Sequence, residues 1–266
     1  MTTQAHWFAE NTGKAWTEKF FLFYSPVWMA VMGVVMGTGL AANHLDEWGF
    51  MAVGWGLFLP LLVMPALMSP EGGPWHQTYW FKANLYMAVF SFFGSYFGSE
   101  YFFDMLGMVY DYPMININLD SALVGSGEQR VPLLMYPLAH VYFITYHTTA
   151  VLVLRRITTA GIPFKTLLWP VLILVVGYFW AWAETKAMAN PWIKSQFYYK
   201  DMPRMLQFGS LLYAAYFVTS FPIYYFLDEN PKARWNLWVV TAAALSASML
   251  TLYLLDFAAH CVGRIY

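Results

Sequence analysis

Charge is scarce in this chain: Asp, Glu, Lys and Arg make up 11% of its 266 residues, against about 25% in a soluble domain. Fourteen Lys+Arg and fifteen Asp+Glu leave a net charge of −1. No basic face can therefore displace counterions from nucleic acid, which excludes a nucleic-acid partner. A single cysteine, Cys261, permits neither an internal disulfide nor a thiolate cluster for zinc or iron–sulfur. The six histidines are too scattered for the short histidine clusters of integral-membrane di-iron oxygenases. The last hydrophobic run has no lysine for a retinal Schiff base, and there is no G-x-S-x-G nucleophile elbow. Nor does an internal repeat, a low-complexity tract or a Gly/Ser/Pro-rich linker divide the chain.

What the sequence has is apolar length. It is 59% hydrophobic and 20% aromatic, with a mean hydropathy of +0.46. Seven stretches of at least seventeen residues lack Asp, Glu, Lys and Arg: 20–45, 48–70, 83–99, 131–154, 166–183, 205–227 and 235–255. Each is close to the ~20 residues that cross a bilayer, where only helices satisfy their own backbone without closing a barrel. The expected fold is all-α, a polytopic integral membrane protein with about seven transmembrane helices in one bundle. It forms a single domain over residues 1–266, with helices at about 20–44, 50–69, 80–104, 132–155, 166–188, 205–227 and 236–258.

The first stretch is too long for a signal-peptide core and lacks a small-residue cleavage site, so it reads as a retained helix. The N-terminus and the second, fourth and sixth loops carry eight basic residues against six on the other face: Lys14, Lys19, Lys82, Arg155, Arg156, Lys165, Lys232 and Arg234. Lys14 and Lys19 precede the first helix and the loop after it has no basic residue, which favours a cytoplasmic N-terminus. The pairs Trp7/Trp16, Trp75/Trp80 and Trp235/Trp238 suit headgroup level. Gly33-x-x-x-Gly37 and Gly94-x-x-x-Gly98 read as close helix packing. Residues 107–130, with Tyr112-Pro113 and Gly125-Ser126-Gly127, form the longest non-helical candidate, a surface loop or a lid.

The informative residues are ionisable groups at membrane depth, where a charge costs about 2.5 kcal/mol or more and is normally enclosed among helices. Lys82 and Asn84 start the third helix, and Tyr96, Glu100 and Asp104 recur every fourth residue along one face of it. His140 and His147 lie two turns apart on the fourth helix, about 10 Å from each other. They cannot chelate one metal, but each could ligate a separate centre such as haem, or carry a proton. Glu184 follows Trp180-Ala181-Trp182-Ala183 in a helical pattern that continues to Met188. Burial disfavours a charged carboxylate, so this residue reads as a neutral acid able to donate a proton. Asp256, one turn before His260, closes the last helix or marks its membrane boundary.

Several segments carry a resemblance: Tyr79-Trp80-Phe81-Lys82-Ala83-Asn84-Leu85, Tyr101-Phe102-Phe103 with Leu106-Gly107, His140-Val141 through Tyr146-His147, and Leu154-Arg155-Arg156. To these are added Glu184-Thr185 with Ala189-Asn190, and Tyr216-Phe217 through Ser220-Phe221-Pro222 to Asp228-Glu229. In this order, over about residues 20–257, they resemble the cycloeucalenol cycloisomerase family, the cyclopropylsterol isomerases. The resemblance implies opening of the 9β,19-cyclopropane ring of a cycloeucalenol-like sterol to an obtusifoliol-like Δ8 sterol, with no redox cofactor and no metal. The expected partners are the cyclopropyl sterol and the lipid bilayer. The chain departs from the plant pattern at Glu100, where histidine stands, and in a longer 107–130 segment. It carries no recognisable endoplasmic-reticulum retrieval signal, so the expected location is a bacterial inner membrane or the endoplasmic reticulum.

Such a reaction needs an acid, a cation stabiliser and a base. Glu184 is the first choice as donor and Glu100 the second, with His147, supported by His140, as base or relay. Tyr146 and Trp180 present π faces to a cation. Lys82, Asn84, Tyr96, Asp104 or Asp256 would orient the acid or bind the sterol 3-hydroxyl. The competing expectation is a non-catalytic sterol carrier built on the same apolar cavity.

Overall fold

The computed structural model describes residues 5–266. Asn11 opens the first helix, α1 (Thr12–Gly37), by accepting the backbone N–H groups of Gly13 and Lys14. Helix α2 (Glu47–Met68) starts at Asp46, which caps Gly49, and is interrupted before Pro60. Helix α3 spans residues 79–106 and contains a π-helical turn at Gly94–Gly98. Then follow α4 (Met135–Thr159), α5 (Lys165–Met188), α6 (Met202–Phe226), with a second π-helical turn at Met205–Gly209, and α7 (Leu237–Val262).

Six of these, all but α3, are long and apolar enough to cross a membrane. Helix α3 has a physical reason to be less apolar. It packs against α1, α2, α4 and α7 and buries Lys82, Asn84, Ser91, Ser95, Ser99 and Glu100. A helix enclosed by protein can carry polar groups that a lipid-facing helix cannot.

The helices alternate in direction, so the bundle has two chemically different ends. At the end holding the start of α1, a buried ion-pair network joins residues far apart in the chain. The Arg155 guanidinium donates to both Glu18 oxygens at 2.7 and 2.9 Å and to both Glu229 oxygens at 2.7 Å. The Lys14 ammonium lies 2.8 Å from Glu229 and donates to the Tyr225 and Leu227 carbonyls. Beside it, Lys82 pairs with Asp228 at 2.7 Å. Burial alone would raise the Glu229 carboxyl, but Arg155 and Lys14 outweigh it and hold Glu229 below the usual carboxylate range. Lys14 and Arg155 are therefore neutralised inside the bundle and carry no headgroup charge.

The other end is closed by backbone. Gly107 ends α3 with φ +69, and a Cβ there would fall 2.7 Å from the Tyr266 ring, so the turn requires glycine. Strand β1 (Met108–Tyr110) then pairs antiparallel with β2 (Phe197–Tyr199), Met108 opposite Tyr199. The segment after β1 is tied down by three carboxylates. Glu47 accepts the Asn116 and Ile117 N–H groups, Asp120 accepts Val131 N–H, and Glu100 accepts Gly127 N–H at 3.0 Å.

The two glycine pairs behave differently. A Cβ on Gly98 would sit 2.1 Å from the Tyr216 hydroxyl, so that pair is a close-packing site, whereas a Cβ on Gly33 would meet nothing within 4 Å. Gly33 is thus not a packing residue, and its role lies elsewhere.

Candidate active site

A cavity of about 380 Å³ lies between the β1–β2 end and the middle of the bundle, within the range of about 300–1,000 Å³ typical of small-molecule sites. Helix α1 contributes Trp28, Met29, Met32, Gly33 and Met36, and α4 contributes Met135, Ala139, Tyr142, Phe143 and Tyr146. These follow helical spacing, so each helix gives one face. Met108 and Tyr110 of β1 and Phe197 and Tyr199 of β2 wall its end.

Glu184, on α5, is the only Asp, Glu, His, Lys or Arg among the described residues that line this cavity. The Tyr213 hydroxyl donates to Glu184 Oε2 at 2.8 Å. Oε1 receives no hydrogen bond from the described residues, although it is not sealed from the cavity. Around the carboxyl stand Tyr110, Tyr142, Tyr146, Tyr199, Tyr213 and Tyr216, all lining the same space. Burial pushes the Tyr199 phenol of β2 above its usual range, and it faces the cavity as a neutral hydroxyl. The Tyr146 and Trp180 rings stack at 4.6 Å with an interplanar angle of 29°. The result is an apolar, aromatic chamber with one carboxyl aimed into it. Among the described residues no group of three or more His, Cys, Asp or Glu side chains could hold a metal ion.

Of the residues singled out from the sequence, Glu184, Tyr146 and Trp180 are brought together in the cavity. The others lie outside its lining. His140 and His147 share a helix face, but it is the face next to the one carrying Tyr142 and Tyr146. His140 Nε2 lies 2.9 Å from Asn84 Oδ1, while Asn84 Nδ2 donates to the Leu61 and Trp80 carbonyls. His147 Nδ1 donates to the Phe143 carbonyl at 2.7 Å, leaving Nε2 to the Ser220 hydroxyl at 2.8 Å. Its ring packs against Phe221 and Tyr224 at 4.9 and 5.2 Å. Both imidazoles are thus engaged within the helix packing.

The Tyr96–Glu100–Asp104 ladder is one position, about 100°, round α3 from the cavity face. Glu100 and Asp104 instead hold the segment after β1, through Gly127 and through the Gln129 side chain at 2.8 Å, and Tyr96 stacks on Phe92. Lys82 is paired at the opposite end of the bundle. Asp256 is exposed on α7.

The residues that sequence reasoning missed are mostly tyrosines. Tyr213 sits in an apolar run that marks it in no way, and Tyr110 and Tyr199 come from two separate loops. Ser91, Ser95 and Ser99 do leave a legible signal, a four-residue polar spacing on the face of α3 that lines the cavity.

No family profile and no solved structure matches the chain. The cycloeucalenol cycloisomerase of Arabidopsis thaliana is 35% identical to it over 260 residues, covering 94% of this chain and 87% of that protein.

Proposed function

Because the chain belongs to the cycloeucalenol cycloisomerase family, a family of membrane isomerases in sterol biosynthesis, we propose that it opens the 9β,19-cyclopropane ring of a cycloeucalenol-like sterol to a Δ8 sterol, with Glu184 as the proton donor. The observation that carries this reading is that Glu184 is the one Asp, Glu, His, Lys or Arg among the described residues that line an aromatic cavity of about 380 Å³. A hydrocarbon ring is a very weak base, so its acid must be neutral, close and shielded from water, with positioning and electrostatics supplying most of the acceleration.

The chemistry follows from the two carboxyl oxygens. Oε2 accepts the Tyr213 hydrogen bond and so acts as the carbonyl oxygen, which leaves the acid proton on Oε1, toward the cavity. That proton goes to C19 while the C9–C19 bond supplies the electron pair, forming the methyl group and a cation at C9. The faces of Tyr146 and Trp180 stabilise that charge. Loss of the C8 hydrogen then forms the double bond. Neither His140 nor His147 opens on the cavity, so we assign this second step to the Glu184 carboxylate left by the first, which restores the neutral acid. The reaction is a net isomerisation, and its residues require no redox partner.

Tyr213 is then a positioning residue. A hydrogen bond to a developing carboxylate is worth about 1.5–3 kcal/mol, so Tyr213→Phe should lower kcat by roughly ten- to hundredfold and change KM much less. Steady-state kinetics on membranes or purified protein checks this, and an unchanged kcat would remove Tyr213 from the mechanism.

The test of the function itself is a lipid assay. Cells that accumulate a cyclopropyl sterol are made to express the chain, and their sterols are separated by gas chromatography with mass spectrometry. Conversion to the Δ8 isomer, which has the same mass but a different retention time, is expected. A carrier would leave the ring intact.

A further inference from the structure

We propose that the cavity takes up its sterol sideways from the bilayer, through a portal between α1 and α5 bordered by Met29 and Gly33 on one side and Ala187 on the other. The inference rests on the reading that the cavity holds a cyclopropyl sterol, and it adds the route and the residues that select by size. Among the described residues lining the cavity, these three alone are exposed, Met29 to 43%. All other lining side chains are buried or half-buried. A residue that borders the chamber and also the outer surface marks where the chamber opens, and all three lie on two helices.

The packing explains the opening. Helix α1 rests on α3 and α4, and α5 rests on α4 and α6, so α1 and α5 flank α4 and leave the space above its cavity face uncovered. Gly33 points into that space, since a Cβ there would meet nothing within 4 Å. Ala183 and Ala187, one turn apart on α5, add little bulk.

The alternatives are closed. The β1–β2 pair walls one end, and the Arg155–Glu18–Glu229 network and the Lys82–Asp228 pair fill the other. A sterol is dissolved in the bilayer, and passing between two lipid-facing helices exchanges one apolar surface for another. A route through either end would first expose the tetracycle to water, which the hydrophobic effect opposes. Side-chain size at positions 33 and 187 therefore decides which ring systems enter.

The test compares tryptophan at the portal with tryptophan elsewhere on the lipid face. Gly33→Trp and Ala187→Trp are each expected to lower kcat/KM for a cyclopropyl sterol by at least about tenfold, as blocked access does. Leu245→Trp, on the exposed face of α7 away from the cavity, is expected to match wild type. Wild-type turnover by both portal variants, at equal membrane abundance, would overturn the route. A wild-type chain that leaves the ring intact would instead overturn the reading on which the route rests. Should a portal variant fail to insert, wild-type protein irradiated with a diazirine-bearing sterol gives a second measurement. Adducts on peptides containing Met29, Gly33 or Ala187, competed by excess cyclopropyl sterol, support the portal; adducts confined to other surfaces reject it.

Discussion

Glu184→Gln is expected to abolish ring opening while the protein still inserts and folds. The amide keeps the shape and can still accept the Tyr213 hydrogen bond, but it has no acidic proton to give. General acid–base groups contribute about 10²–10⁴-fold. The loss should reach that range or pass below detection, because both proton transfers are assigned to one carboxyl. No other Asp, Glu, His, Lys or Arg among the described residues lines the cavity to substitute for it. Chromatographic quantification of the Δ8 product, normalised to membrane-inserted protein, measures the effect. Turnover within threefold of wild type would reject Glu184 as donor. Glu184→Asp should retain part of the activity, since it keeps the proton but withdraws it by one methylene from the ring.

The second large effect concerns stability at the opposite end of the bundle. Arg155→Met should destabilise the protein by about 3–5 kcal/mol, the usual cost of removing one partner from a buried charge pair. The substitution leaves Glu18 and Glu229 facing each other without the guanidinium that bridges them. Adding Glu18→Gln to Arg155→Met should recover much of the loss, since Lys14 still pairs with Glu229 and the penalty comes from uncompensated charge rather than from the absence of a contact. Thermal unfolding in detergent reads both results, and an Arg155→Met variant with wild-type stability would show that the network contributes nothing.

The same network predicts a pH dependence. The Glu229 carboxyl is held below its ordinary range by Arg155 and Lys14 against the effect of burial. A group whose folded value is depressed contributes stability that is complete above the unfolded value and disappears as pH falls through the folded one. The unfolding temperature should therefore hold steady from neutral pH through mild acid and decline only at more acidic pH. In Arg155→Met that acid limb should be weakened.

Much of this molecule could be read in one dimension. Seven charge-free runs anticipated an all-helical membrane bundle, because the need to satisfy backbone groups in hydrocarbon is local to each segment. The enclosed helix α3 is where the count became approximate: its serines, Asn84 and Lys82 lower its apolarity, and no segment reveals alone that its neighbours will shield it. Glu184 was also legible, since the helical pattern runs past it to Met188 and places a carboxyl inside an apolar helix. His140 and His147 were legible as a pair on one face, but not the direction of that face, which the structure turns toward Asn84 and Ser220.

What the amino-acid order determined by itself was the solvent of this protein, the helices that suit it, and the presence of a few protonatable groups among them. Tertiary structure alone decided which of those groups meet. Lys82 finds Asp228 across 146 positions of chain, and Arg155 finds Glu18 across 137, so both pairs are neutralised away from the cavity. Glu184 meets Tyr213 across 29 positions and stays without a cationic partner. Hydropathy accumulates residue by residue, whereas the rotation of one helix against another, a matter of about 100° per position, is set by how side chains from distant segments fit together.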